Sequence, residues 1–454
     1  MANIFTALRG NQLSARAVRS SVLIAGGYVA GQALRLASNL ILARLLFPEA
    51  FGLMALVTVL MVGLTMFSDV GLGPAISRSP RGRDPEFLNT GWTLMVMRGV
   101  LLWLITCALA WPVSLFYGEP LLAWLLPVAG LALLIQGFNP TRIDSAQREL
   151  IIGRLTLLDL ASQAIGIFCM VAFALVYASV WALVVGGIVG SIAKLVLTDV
   201  YLPGARNKFR LEKQAFSELL HFGKWIFLST AFGFFVSQGD KAILGKFLSL
   251  EGLGIYNIGY FLASFPVLLG MAVVSRVMIP LYRERPPWDS EENARKLRQM
   301  RVPVTGVIIA LLGLLALIGV PLVDFLYDDR YLAAGAIVVS VSCIQMLVAV
   351  TMTYDQVALA AGDSRNYFFL TLIKAIFLLV CLYAGALFAG LVGALVGQVI
   401  AAVLTYPFIA RVAKRHRAWD PRHDLGFSVI GAVIAALSIW LNRDALLALN
   451  AFGS

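Results

Sequence analysis

Apolar segments long enough to cross a bilayer recur along the whole chain, and they decide the fold class before any motif does. An α-helix rises 1.5 Å per residue, so about 20 apolar residues span a hydrocarbon core about 30 Å thick. Such segments fall at 22–43, 51–73, 91–116, 121–138, 155–177 and 181–201. A second set lies at 222–244, 253–281, 302–323, 333–359, 367–389 and 391–410, with a weaker thirteenth at 426–441. The alternating ten-residue pattern of an outer-membrane barrel is absent, so the spans are helical, each satisfying its own backbone groups. Charged residues make up 13% of the chain, against roughly a quarter in a soluble protein. The chain reads as an all-α polytopic membrane protein.

The connections between spans alternate in charge. Those on one side carry 25 Lys and Arg, from Arg9, Arg16 and Arg19 at the start to Arg411, Lys414, Arg415, Arg417 and Arg422 near the end. Those on the other side carry Arg44, Lys246, Arg330 and Arg443. By the positive-inside rule the basic side and the N-terminus are cytoplasmic. The net charge of +11 then follows topology, and no nucleic-acid partner is expected. The first apolar stretch lacks a small-residue cleavage site, so it reads as a transmembrane helix rather than a signal peptide. All four cysteines (Cys107, Cys169, Cys343, Cys381) lie in apolar spans, where thiols behave as small hydrophobes. No disulfide, metal site or cofactor is expected from their spacing. Connections on the far side are as short as residues 118–120 and 178–179. They leave no room for an extracytoplasmic catalytic domain, and no catalytic residue is assigned.

One turn is written twice. "ILARLLFPEAFGLM" (41–54) and "ILGKFLSLEGLGIY" (243–256) stand 202 residues apart and share five of fourteen residues, among them Glu49/Glu251 and Gly52/Gly254. Six spans separate the copies, an even number, so both would cross the membrane in the same sense. Pro74 and Pro280 each precede a basic loop and give a second echo. Parallel repeats of this kind typify transporters with a substrate site between two lobes. The expected organisation is a cytoplasmic segment 1–21, an N-lobe of six helices at 22–201 and a cytoplasmic linker at 202–221. A C-lobe of six helices at 222–410 follows, then a basic loop and an additional helix within 411–454. The whole would be two six-helix bundles in a V-shaped transporter.

Ionisable residues inside the spans carry the functional signal, because each costs about 2.5–3.5 kcal/mol on insertion scales unless it faces a polar interior. Arg35 stands about thirteen residues into its span, near midplane, and is the hardest to place in lipid. Arg276, Lys374 and Arg98 join it as candidate ligands of an anion. A guanidinium suits phosphate through its planar fork of donors. Asp69, Asp159, Asp240, Lys241 and Asp355 are candidates for ion coupling or for pairing helix to helix. Lys194 and Lys224 lie near span ends, where a long side chain can snorkel to the interface.

"LILARLLFPEAFGLMAL", "FSDVGLGPAISR", "LNTGWTLMVMRGVLLWLI" and "VSQGDKAILGKFLSLEGLGIYNIGYFLASFP" resemble the polysaccharide (O-antigen and exopolysaccharide) flippases. These belong to the multidrug/oligosaccharidyl-lipid/polysaccharide exporter superfamily. The resemblance covers about residues 15–415. It implies twelve core helices in two lobes and translocation of a polyprenyl-diphosphate-linked oligosaccharide across the bacterial inner membrane through a cationic cavity. The implied partners are that lipid-linked substrate and membrane lipid, with a polysaccharide polymerase and glycosyltransferases as candidates. The thirteenth span departs from the twelve or fourteen common in that family. A multidrug extruder coupled to a cation gradient is the rival within transport, and a membrane enzyme of glycan assembly is the rival outside it. The former would need a carboxylate inside the N-lobe; the latter would need a large far-side loop, which is lacking.

Topology is open to direct test. Single cysteines replacing Glu49 and Glu251 in a cysteine-free chain should both react with an impermeant thiol reagent applied from outside. Reaction of only one would break the parallel repeat.

Overall fold

The structure, a computed structural model, describes residues 13–449 except 70, 150 and 285. Side chains are described within that range except at 13–25, 74, 77–78, 152, 220–226, 276–277, 279–281, 283 and 355–356. Every apolar segment falls on a helix, and the described residues contain no strand. Contacts divide the chain into two compact units, one of Met1–Leu46 with Leu60–Phe227 and one of Phe47–Val59 with Leu228–Ser454. The first holds α1 (Leu13–Leu45), the later part of α2 (Pro48–Phe67), a short α3 (Leu72–Arg78), α4 (Pro85–Tyr117) and α5 (Leu122–Gly137). A short α6 (Arg142–Arg148), α7 (Ile152–Val176), α8 (Trp181–Tyr201) and the start of α9 (Lys213–Phe247) complete it. The second holds the first part of α2, the rest of α9, α10 (Leu250–Glu284), α11 (Glu291–Leu326), α12 (Ala333–Thr351) and a short α13 (Asp355–Ala360). It ends with α14 (Ser364–Arg415), α15 (Pro421–Leu441) and α16 (Arg443–Ala448).

This division departs from lobes at 22–201 and 222–410 in two places. The start of α2 packs with the second unit, and the linker packs with the first. Of the segment 1–21, residues up to 12 lie outside the described ones, and the rest already belongs to α1. Two apolar runs also contain breaks. The run 51–73 stops at a turn where Gly71 has φ 64°, and the Asp69 carboxylate accepts the Gly71 N–H at 2.9 Å. The run 333–359 breaks between α12 and α13. The two spans 367–389 and 391–410 form α14, which reverses at Ala389–Gly390, where Gly390 has φ 53°.

Close helix pairs meet at small residues, as expected where dispersion rather than hydrophobic exclusion holds helices together. Gly99 of α4 lies against Gly137 of α5, and Gly166 of α7 lies against Gly186 and Gly190 of α8. The two limbs of α14 touch at Gly385 and Gly393. At the basic ends, helix starts are capped by side chains of the preferred N-cap types. Asp84 caps α4 before Pro85, Ser290 caps α11, Asp363 caps α14 and Asp420 caps α15 before Pro421. The Arg81 hydrogen bond, with the Glu86 N–H, holds the Asp84 carboxyl below the usual carboxylate range.

The linker is a strap rather than a loose tether. In extended chain, the alternating N–H groups of Lys208, Arg210 and Glu212 donate to Asn89, Thr93 and Thr90 of α4 at 2.9, 3.0 and 2.9 Å. Arg81 reaches Glu212 at 2.6 Å, Arg142 donates to the Ala205 carbonyl at 3.0 Å, and Phe209 packs on Trp92 at 4.7 Å. Ala215 and Leu219 then bury the first turns of α9 among Leu72, Ile76, Phe87 and Leu94.

In the second unit, a fully buried ionic cluster fixes the thirteenth span. Arg301 of α11 is 0% exposed and lies 3.4 Å from Asp424 of α15, itself 2% exposed. Arg301 also donates to Thr353 at 2.8 Å and stacks on the Tyr354 ring at 3.9 Å. Asp424 accepts the Tyr354 hydroxyl at 2.8 Å and the Tyr406 hydroxyl at 3.0 Å, and its Oδ1 lies 3.0 Å from His423 Nδ1. The other ring nitrogen of His423 meets Thr305 at 3.1 Å. The break between α12 and α13 is what turns Thr353 and Tyr354 toward this cluster.

Breaking a buried ion pair from one side leaves an uncompensated charge, at a cost of roughly 3–5 kcal/mol. Asp424→Ala should therefore lower the unfolding temperature of the detergent-purified protein sharply. The double variant Arg301→Met/Asp424→Leu should recover part of it, short of the whole because the Tyr354 and Tyr406 hydroxyls lose their acceptor. Equal loss in single and double variants would refute the pairing as the source of stability.

Candidate functional site

The charged residues of the spans sort by what satisfies them. In the first unit, Arg98 of α4 donates through Nε to Ser68 Oγ at 2.9 Å and through its terminal nitrogen to the Thr65 carbonyl at 2.8 Å. Two of its five donors are thus spent holding the end of α2. Asp159 of α7 and Lys194 of α8 form an ion pair of 2.9 Å, both partly exposed. One turn along α7, Gln163 donates to the Gly31 carbonyl of α1 at 2.9 Å. Asp69 is engaged by its turn, as described above.

Arg35 differs from all of these. It is exposed on α1 and forms no hydrogen bond or ion pair with the described residues. Its helix carries Tyr28, Gln32, Arg35 and Asn39 at intervals of four, three and four residues, the spacing that places side chains on one face of a helix. Gln32 donates to the Tyr28 hydroxyl at 3.0 Å, while the buried Asn39 Oδ1 has no partner among the described residues. A polar stripe with unspent hydrogen-bonding capacity and a positive charge runs along this part of α1.

In the second unit, Asp240 of α9 is 5% exposed and accepts the Tyr256 hydroxyl of α10 at 2.8 Å. Lys241 lies over the Tyr260 ring at 4.8 Å, a cation–π contact. Lys374 is half-buried on the first limb of α14. Arg276 lies on α10 and Asp355 opens α13, and both side chains fall outside the described ones. The candidate anion ligands are therefore divided, with Arg35 and Arg98 in the first unit and Arg276 and Lys374 in the second.

Sequence reading missed the cluster around Arg301. Arg301 and His423 look like ordinary members of basic, solvated loops, yet they are 0% and 6% exposed. A signal was present. Arg301 and Thr305 are one turn apart at the head of a span, and "DPRHD" carries an N-cap, an N1 proline and a further acid.

Chemically, the described spans offer donors, one unmatched guanidinium and paired carboxylates, which suits holding an anion more than bond making. The fold is one found in solved membrane proteins. It is similar to the lipid II flippase MurJ in an inward closed conformation, with TM-score 0.67 and 11% identity over 93% of this chain and 99% of that one. It is also similar to an inward-facing multidrug resistance MATE family transporter, with TM-score 0.61 and 15% identity over 84% and 96% of the two chains. The architecture is the multi-pass helical fold that those two proteins share. Residues 41–336 match the polysaccharide biosynthesis protein family, and the chain belongs to it. Its relatives include the succinoglycan biosynthesis transport protein ExoT of Rhizobium meliloti, 23% identical over 80% of this chain and 73% of that protein. The lipopolysaccharide biosynthesis protein WzxC of Escherichia coli is 22% identical over 81% and 75%. The teichuronic acid biosynthesis protein TuaB of Bacillus subtilis is 21% identical over 66% of this chain, which spans 62% of its length.

Proposed function

We propose that this protein is a flippase that carries a polyprenyl-diphosphate-linked oligosaccharide from the cytoplasmic to the outer leaflet of a bacterial inner membrane. The observation that carries the reading is Arg35, a span arginine with no protein partner among the described residues, set in a polar stripe on α1. A guanidinium in hydrocarbon is costly unless water or an anion meets it. Of the headgroups an apolar carrier lipid can offer, a diphosphate matches the guanidinium fork best. Arg276 and Lys374 are the proposed helpers from the C-lobe, and Arg98 has a lesser part because two of its donors are already engaged. Gln32, Asn39 and Gln163 are suited to sugar hydroxyls.

In this reading the lobes at 22–201 and 222–410 enclose a cationic cavity and work by alternating access, with the N-terminus and the linker in the cytoplasm. The lipid tail stays in the bilayer while the charged head and glycan cross. Glycosyltransferases would supply the substrate on the cytoplasmic side, and a polymerase would consume it outside. A cation-coupled multidrug extruder needs a carboxylate free to bind its substrate or ion. Here Asp159 is paired with Lys194, Asp69 is tied to its turn and Asp240 is capped by Tyr256. That pattern favours an anionic cargo over a cationic one.

The test is complementation of a strain lacking its own polysaccharide flippase. The wild-type chain should restore export, and Arg35→Ala should reach the membrane folded yet leave lipid-linked intermediate accumulating inside. Arg35→Lys should restore export only in part, because charge returns without the fork. Export at the wild-type level by Arg35→Ala would sink the assignment.

A further inference from the structure

The strap at 203–212 has two unlike faces. The N–H groups of Lys208, Arg210 and Glu212 all meet Asn89, Thr90 and Thr93, a single turn of α4 about 6 Å long. From 208 to 212 an extended chain advances about 13 Å. The strap therefore runs across α4 rather than along it, and its alternate side chains point toward opposite ends of that helix. The even-numbered ones turn toward the helix start, where Arg210 reaches Glu86 at 3.1 Å and Glu212 reaches Arg81 at 2.6 Å. Arg206 and Lys208 precede them at the same spacing. The odd-numbered Phe209 and Leu211 turn the other way, toward the span. Phe209 packs on the Trp92 ring, whose Nε1 donates to the Phe138 carbonyl at 3.2 Å.

The depth of the strap follows from the length of α4. Its 33 residues measure about 50 Å, against about 30 Å of hydrocarbon and about 40–45 Å with the headgroups. Its first turns therefore stand among headgroups, and its apolar segment opens at residue 91, inside the strapped turn. Phe209 and Leu211 are 67% and 56% exposed at this level, which is unfavourable in water and favourable against acyl chains. Val196, Val200 and Tyr201 are exposed as well, at the end of α8 from which the strap issues. On the other face the exposed groups are basic. The Lys208 side chain has no partner among the described residues. Arg206 and Arg210 lie 3.9 and 3.1 Å from Asp199 and Glu86, in solvent-exposed pairs. Such pairs are weak and leave the guanidinium groups open to another anion.

We propose that the strap is an interfacial anchor that binds anionic phospholipid of the cytoplasmic leaflet. Phe209 and Leu211 sit at the acyl boundary, and Arg206, Lys208 and Arg210 meet the lipid phosphates. The anchor holds the first unit at a fixed depth in the bilayer. From the flippase reading it takes only the cytoplasmic placement of the linker. Lipid fits this surface better than a protein partner does, because the apolar row is two side chains long and continues the exposed apolar end of α8. The charge beside it has one sign and stands at phosphate level, where basic side chains attract anionic headgroups.

The test uses the full-length chain with its four cysteines replaced and a bimane label at Leu211→Cys, in nanodiscs of phosphatidylcholine and phosphatidylglycerol. Lipid brominated near the top of its acyl chain should quench this label, and aqueous iodide should quench it little. A label at Lys208→Cys should show the reverse. At equal mole fraction, phosphatidylglycerol should be enriched around Leu211→Cys over phosphatidylcholine by about fivefold or more, which corresponds to about 1 kcal/mol. Adding Arg206→Gln and Lys208→Gln should bring the two lipids level, whereas Arg206→Lys with Lys208→Arg should keep the enrichment. The strap is tied through backbone N–H groups, so the glutamine variants should unfold at the parental temperature. Stronger quenching by iodide than by lipid at both positions would overturn the anchor, and equal quenching by the two brominated lipids in the parent would remove its anionic ligand. Loss of enrichment on adding pyrophosphate, but not sodium chloride of equal ionic strength, would assign the charges to a soluble diphosphate and also defeat the proposal. If Leu211→Cys does not fold, a label at Gln214→Cys leaves both apolar side chains in place and decides the lipid preference. None of these readings needs transport, so they decide the anchor even where complementation fails. Lys208→Cys should resist an impermeant thiol reagent in spheroplasts and react in inverted vesicles, and the opposite result would refute the cytoplasmic leaflet.

Discussion

A charge placed among apolar helices has to be matched by a partner, by hydrogen bonds or by water, and this constraint organises the molecule. Arg301 meets it completely: it is buried at 0% exposure, and Asp424, Thr353 and the Tyr354 ring surround it. The thirteenth span is held through that cluster, since Asp424 and His423 open α15. Lys194 meets the constraint through Asp159, Arg98 through Ser68 and the Thr65 carbonyl at the end of α2, and Asp240 through Tyr256. Among the described span residues, what those pairings leave over is Arg35. The structural charges and the proposed functional charge are separated by the same physical criterion, and no motif is needed to tell them apart.

The second organising feature is the repeat. Two helix starts with the same Glu-x-x-Gly pattern cross at their glycines, and the crossing is symmetric because the sequences are. A repeat of this kind lets one backbone geometry serve both halves. The strap at 203–212 works differently, since its hydrogen bonds to Asn89, Thr90 and Thr93 fasten the connection to one unit.

Much of the fold was legible in the sequence. Bilayer-length apolar runs are set by thickness and rise per residue, so all thirteen map onto helices. The breaks were less legible. The interruption at 352–354 places Thr353 and Tyr354 against a buried ion pair formed by residues 52 and 70 positions away, and no local pattern encodes that. Loop arginines look alike in a sequence whether solvated, like Arg83, or entombed, like Arg301. Charges within spans were legible as anomalies, but their partners were not, because Asp159 and Lys194 meet through helix packing. The repeat was visible as five identities in fourteen. That the two copies touch was not, because contact between distant turns is a property of the assembled bundle.

The central claim is that a diphosphate headgroup is recognised and carried across. It is tested most directly with purified protein in liposomes holding a polyprenyl-diphosphate-linked oligosaccharide in both leaflets. Glycosidase added outside reports how much glycan reaches the outer leaflet. The account predicts that hydrolysis proceeds past the outer-leaflet fraction when the protein is present. It also predicts that an otherwise identical neutral polyprenyl-linked glycan stays where it started. Hydrolysis that stops at the outer-leaflet fraction with folded protein present would contradict the account, and so would equal movement of the charged and neutral lipids.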